Sequence, residues 1–151
     1  MITIRKGNIF DSEMQVLVNP VNCVGVMGKG LALEFKQRYP LMFKSYLEWC
    51  EDKTIYPGNP CFWRGCNRDI LLFPTKYHWK EKSDMFCIEQ GLDTLIHHIQ
   101  NDWTWGFKSI AFPALGCGLG GLSWKNVAVA MVSKLLKISD DIDVEIYEPE
   151  G

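Results

Sequence analysis

The chain has 151 residues, 47% hydrophobic and 23% charged, the balance of a globular protein long enough to bury one ordinary core. A formal net charge of −2 and a pI near 5.9 exclude a globally basic nucleic-acid binder, leaving local patches such as KYHWKEK, Lys76 to Lys82. No apolar run approaches the roughly 20 residues that cross a bilayer, so no membrane-embedded role is expected.

In chain order, MITIRKGNIF alternates apolar and polar side chains and predicts a strand ending near Lys6. QVLVNP is an apolar run stopped at Pro20, as in a buried strand. From Gly30 to Tyr39, the spacing of Leu31, Phe35 and Tyr39 suits one helical face; Pro40 ends that helix and begins the next, LMFKSYLEWCE. NPCFWRGCNRDILLFPT predicts paired strands around a turn at Gly65 to Arg68.

Helical periodicity then carries Ile88, Leu92, Leu95, Ile96 and Ile99, with Ser83 or Asp84 as cap. KSIAFPAL predicts another buried strand, Ser123 to Lys137 an amphipathic helix, and VEIYE a last strand. Strands alternating with helices predict an α/β layered domain with a largely parallel sheet, and residues 1–151 are expected to form one domain. The six cysteines are scattered, and no secretory signal is evident at the N-terminus. They are expected to be reduced thiols of a cytoplasmic protein.

Two segments, GVMGKG (Gly25 to Gly30) and GCGLGG (Gly116 to Gly121), each follow a strand and precede a helix. Glycine lets the backbone approach a ligand, and a helix N-terminus offers unpaired N–H groups to phosphate. Ligands of such sheets collect outside the carboxyl ends of the strands, so the loops are expected to face each other as halves of a diphosphate clamp. Neither matches GxxxxGK[ST] or a GxGxxG dinucleotide fingerprint.

The ordered motifs KGNIF, NPVNCVGVMGKGLALEFK, FPTK and FPALGCGLGGLSW resemble a macrodomain, an ADP-ribose-binding module, over roughly residues 2 to 147. Within that family they are most similar to the DarG-like antitoxin branch, which removes ADP-ribose from thymidine in DNA. That branch is related to the terminal ADP-ribose protein glycohydrolase, which acts on acidic side chains of proteins. The resemblance implies a three-layer α/β/α fold with a central mixed, largely parallel sheet.

It also implies the ligand contacts. Asn8 and Ile9 would meet the adenine, and Asn22 the distal ribose, as a partner in catalysis. Asn19, Gly25, Val26, Met27, Gly28, Gly30 and Leu31 would line one wall of the groove. Pro113, Gly116, Cys117, Gly118, Leu119, Gly120 and Gly121 would line the other.

Lys76 in FPTKYHWKEKS matches the catalytic lysine of this branch. Partial desolvation would lower its pKa and free an amine to attack the anomeric carbon; as an ammonium it would instead stabilise the leaving group. Lys29 is a rival cation, expected to touch phosphate or solvent. Where the protein glycohydrolase carries an acidic residue in its second loop, this chain has Gly120, which argues against acidic-side-chain substrates. His78, Trp79 and Lys80 interleave aromatic and basic character, as contacts to single-stranded DNA require.

Other signals are weaker. Cys61 and Cys66 lack a second ligand pair, adjacent His97 and His98 diverge on a helix, and Trp103 and Trp105 are expected to cover a helix end. Cys117 is expected to pack between glycines, not to act as a thiolate. No metal and no cofactor is expected.

The leading expectation is a monomeric ADP-ribosyl hydrolase acting on ADP-ribosylated single-stranded DNA and opposing a DNA ADP-ribosyltransferase toxin. Hydrolysis of protein Glu or Asp adducts, of ADP-ribose 1″-phosphate or of O-acetyl-ADP-ribose stays open, as does a reader without turnover. DarG antitoxins carry a further C-terminal part, so this chain is expected to be either a catalytic domain or a free-standing relative.

Overall fold

The computed structural model describes residues 1–101 and 104–150. Its strands are β1 (Ile2–Arg5), β2 (Val16–Val21), β3 (Cys61–Trp63), β4 (Asp69–Pro74), β5 (Ser109–Phe112) and β6 (Asp143–Tyr147). Its helices are α1 (Gly30–Arg38), α2 (Pro40–Glu51), α3 (Met85–Asn101) and α4 (Trp124–Leu135).

The strands form one sheet in the order β1-β6-β5-β2-β4-β3. Every neighbouring pair is parallel except β3 with β4. The sheet is therefore mixed and largely parallel. Central β2 is covered on both faces, which is why Val16, Leu17 and Val18 read as a continuous apolar run.

Successive strand residues point to opposite faces and sort the core into layers. Val16, Val18, Leu71, Phe73, Ile110 and Phe112 pack with α3 and α4. Leu17, Ile70, Leu72 and Ala111 pack with Phe35 of α1 and with Met42 and Tyr46 of α2. This is the expected three-layer α/β/α arrangement.

Local signals explain the helix boundaries. Tyr39 closes α1 and precedes α2, whose Pro40 stands where no N–H is missed. At α3 the cap is Asp84, whose Oδ1 accepts from Phe86 N at 2.9 Å. Two short 3-10 turns, Ile9–Asp11 and Gly118–Gly120, were not anticipated. Among the described residues no helix is long and apolar enough to cross a membrane.

Candidate active site

Because β5, β2 and β4 lie side by side and parallel, the segments leaving their carboxyl ends converge. They are the first glycine loop after β2, the second after β5, and a strap of residues 75–84 after β4 that carries Lys76. The strap's ends are joined by Asp84 N to Thr75 O, 3.1 Å. Cys23 N donates to Tyr77 O at 2.7 Å on the first-loop side, and Ser83 N to Gly120 O at 3.0 Å on the second-loop side. The strap thus ties the two loops together, and the catalytic lysine candidate stands next to the first tie, its carbonyl accepting from Cys23 Sγ at 3.6 Å.

The first loop is organised by Asn22. Its Oδ1 accepts from Val24 N (3.1 Å), Val26 N (3.4 Å) and the Tyr46 hydroxyl (2.7 Å), while Nδ2 donates to Val26 O (2.7 Å). Only one amide hydrogen is left for any partner outside these contacts, so the side chain shapes the loop more than it reaches out. Tyr46 is fully buried, and burial pushes its hydroxyl far above the usual phenol range. It is a neutral donor to Asn22. Sequence reasoning passed over it, since its spacing with Met42 and Cys50 reads simply as the buried face of α2.

Asn19 differs from the expectation. It shares a strand face with Leu17 and Val21, so it is fully buried, its Nδ2 facing Met27 Sδ (3.8 Å) and Met42 Sδ (4.0 Å). Among the described residues its Oδ1 has no hydrogen-bond partner. Met27 is likewise buried, as is Ile9, so those two offer a ligand only backbone. Gly25, Gly28, Gly30, Leu31 and the half-exposed Val26 remain on or near the surface.

In the second loop Gly116, Gly118 and Gly121 all have positive φ, at 73°, 68° and 80°, so the loop's course depends on glycine. Leu119 is 67% exposed and reaches over to the first loop: a Cβ on Gly30 would stand 3.3 Å from its Cδ1. The two loops therefore meet. Gly116 and Gly120 are buried, as is Pro113. Burial raises the Cys117 thiol, whose Sγ donates to Leu115 O at 3.8 Å, in keeping with packing rather than nucleophilic chemistry. Lys82 of the strap lies against Gly121, where a Cβ would stand 3.1 Å from its Nζ.

Lys76 is half-buried, and among the described residues no carboxylate pairs with its ammonium. Within the strap the Ser83 and Thr75 hydroxyls meet at 3.3 Å, both buried. Ser83 is therefore an interior contact and not the helix cap considered from sequence. His78 Nδ1 accepts from Lys80 N at 3.1 Å, so a neutral ring carries its proton on Nε2. The Trp79 ring is 47% exposed, with Lys80 Nζ 5.2 Å from its centroid. Lys29 is exposed at the α1 N-terminus.

Asn8 caps the first 3-10 turn, Oδ1 accepting from Phe10 N at 2.9 Å, which leaves that oxygen a second lone pair. Two open surface concavities of about 450 and 440 Å³ lie elsewhere, near Trp63 and Cys66 and at the amino ends of β2 and β4. Trp105 stacks on Phe62 at 5.3 Å, and His97 and His98 are 6.4 Å apart and tilted. Trp103 lies outside the described residues. All six cysteines are free thiols.

A Macro domain family model matches residues 18–131. The DNA ADP-ribosyl glycohydrolase of Mycobacterium tuberculosis is 41% identical over 155 residues, spanning 100% of this chain and 43% of that protein. Its counterpart from Thermus aquaticus is 39% identical, spanning 99% and 41%. The chain thus covers less than half the length of these curated relatives.

The macrodomain of Mycobacterium tuberculosis DarG superposes with a TM-score of 0.92 at 40% identity, covering 99% of each chain. Thermosipho africanus DarTG in complex with ADP-ribose gives 0.90 at 39% identity, covering 98% of this chain and 41% of that one. By motif order, fold and similarity along its whole length, the chain belongs to the Macro domain family.

Proposed function

We propose that this macrodomain hydrolyses the N-glycosidic bond between ADP-ribose and thymidine in single-stranded DNA. The observation that carries the reading is the strap. It carries Lys76, half-buried and with no acidic partner among the described residues, beside the first of the two glycine loops that it ties together. The identity of about 40% to DNA ADP-ribosyl glycohydrolases supports the same chemistry.

ADP-ribose would lie with adenine beside Asn8 and Ile9 and with its diphosphate on the backbone N–H groups of the two loops. Its distal ribose would then face Lys76 and the remaining amide hydrogen of Asn22. Water adds to the anomeric carbon, and the bond to the thymine nitrogen breaks with its electron pair on the base. The base then takes up a proton. A fixed ammonium at Lys76 stabilises the charge developing on the base. This role is favoured over a lysine adduct because Ser83 fills the space beside Gly120 where a resolving carboxylate would stand. His78, Trp79 and Lys80 would hold the base and strand.

The protein would act as a monomeric single macrodomain in the cytoplasm, reversing the product of a DNA ADP-ribosyltransferase. One relative from Thermosipho africanus bears the name of a transferase–glycohydrolase fusion, which fits such a pairing.

The test is a single-stranded oligonucleotide with one ADP-ribosylated thymidine, treated with wild type and Lys76→Ala, products resolved by mass. Restored DNA with wild type and a loss of about 10²-fold or more in rate with the variant are expected. Turnover of ADP-ribose 1″-phosphate or a protein ester instead, with the DNA adduct untouched, would move the function to that substrate.

A further inference from the structure

One cation near the strap is unexplained by the site as described. Lys53, just past the end of α2, is the only non-glycine residue with positive φ, 65°, among the described residues. Glycine is the usual occupant of such a helix end, and a lysine stands there against a conformational cost. Its neighbour Asp52 spends its carboxylate on Thr54, through N at 2.9 Å and Oγ1 at 2.6 Å. No carboxylate pairs with Lys53 among the described residues; its Nζ instead reaches the Tyr77 hydroxyl at 3.5 Å.

Tyr77 is adjacent to Lys76, and its backbone is pinned to the first loop by the bond from Cys23 N. The residue is nevertheless 43% exposed. Trp79 and Lys80 form a second exposed aromatic–lysine pair nearby, with Lys80 Nζ over the ring at 5.2 Å from its centroid, whereas Lys53 Nζ meets Tyr77 at its hydroxyl and not over its ring. A stacking ring with an adjacent ammonium is the unit by which proteins hold one nucleotide of a single strand, the ring under the base and the cation at a phosphate. Only unpaired bases offer their faces in this way.

We infer that Tyr77 and Lys53 form a second nucleotide subsite, which stacks the base flanking the modified thymidine and meets a phosphodiester of the strand. The inference rests on the thymidine-in-DNA reading above. The substrate recognised is then a short single-stranded tract, not one isolated modified nucleoside. With a net charge of −2 the chain offers DNA no global attraction, so its contacts with the strand are few and local.

The experiment compares kcat/KM on an ADP-ribosylated thymidine mononucleotide and on a short single-stranded oligonucleotide carrying the same adduct, across a salt series. The variants are Lys53→Gly, which suits the positive φ and so preserves the fold, and Tyr77→Leu, which keeps apolar bulk but removes the ring. Wild type should prefer the oligonucleotide. Tyr77→Leu should lose about tenfold on the oligonucleotide alone. Lys53→Gly should flatten the slope of log kcat/KM against log salt by about 0.7.

Equal turnover of both substrates by wild type overturns the subsite while leaving the hydrolase reading intact. So does an equal loss on both substrates in the variants, or no loss on either. A wild type that cleaves neither substrate, but does cleave an ADP-ribose ester, removes the thymidine reading and the subsite with it.

Discussion

The Ser83 hydroxyl occupies the space that any side chain at Gly120 would need. A Cβ built on Gly120 would overlap Ser83 Oγ, while Ser83 N donates to Gly120 O at 3.0 Å. Strap and second loop are therefore matched surfaces. Gly120→Ala should lower ADP-ribose affinity at least about tenfold, by pushing the second loop off the strap, and cost about 1–3 kcal/mol of stability. Adding Ser83→Gly to it should recover much of both losses. A double-mutant cycle by calorimetry and urea unfolding reads the coupling, and strict additivity would contradict the packing.

The Tyr46 hydroxyl holds Asn22 from below at 2.7 Å. Tyr46→Phe removes one donor but leaves Asn22 Oδ1 bonded to Val24 N and Val26 N. A loss of about 1 kcal/mol in urea unfolding is expected. Asn22→Ala strips every one of these contacts and should cost more, about 1–3 kcal/mol, with faster amide exchange at Val24 and Val26. Similar losses in the two variants would show that the loop is held by its backbone alone.

Burial pushes the thiols of Cys23 and Cys61 up to about 12 from an ordinary value of 9.0. Since the folded state keeps these protons and the unfolded state gives them up, their contribution is complete below pH 9.0 and is lost as pH rises toward about 12. The urea midpoint should therefore fall between about pH 8 and about pH 11, and fall less steeply in Cys23→Ala. An unchanged slope in that variant would exclude Cys23 from the alkaline transition.

In α3, Gly91 lies directly over the ring of Phe73, and a Cβ there would come within 2.5 Å of Phe73 Cζ. Gly91→Ala gains about 1 kcal/mol of helix propensity, but overpacking costs typically 1–3 kcal/mol. The net should be a lower melting temperature with ADP-ribose affinity unchanged, since the contact lies between α3 and β4, beneath the site. A melting temperature at or above wild type would mean that the ring yields freely.

Much of the architecture was readable along the chain because its causes are local. β2 is apolar without alternation because both its faces are covered, and Pro40 and Asp84 sit where helices begin. The special backbone of the two glycine loops was readable for the same reason: positive φ and close backbone approach leave glycine as their mark. The parity of β2 already placed Asn19 opposite Val16 and Val18, but not what stood over it. The sulfurs of Met27 and Met42 come from the irregular loop that follows β2, 8 residues on, and from α2, 23 residues on.

By itself, the sequence determined the α/β class, the loops and the order of motifs, since periodicity, breakers and glycine act over a few residues. Tertiary structure alone decided which polar side chains face a ligand and which build the site. Asn22 turned inward to shape the first loop, Ser83 left its place as a cap to fit against Gly120, and Tyr46 became the donor beneath Asn22. The physical reason is that hydrogen-bond capacity is spent wherever folding brings partners together, and those partners lie 24 residues apart for Tyr46 and Asn22 and 8 for Ser83 and Thr75.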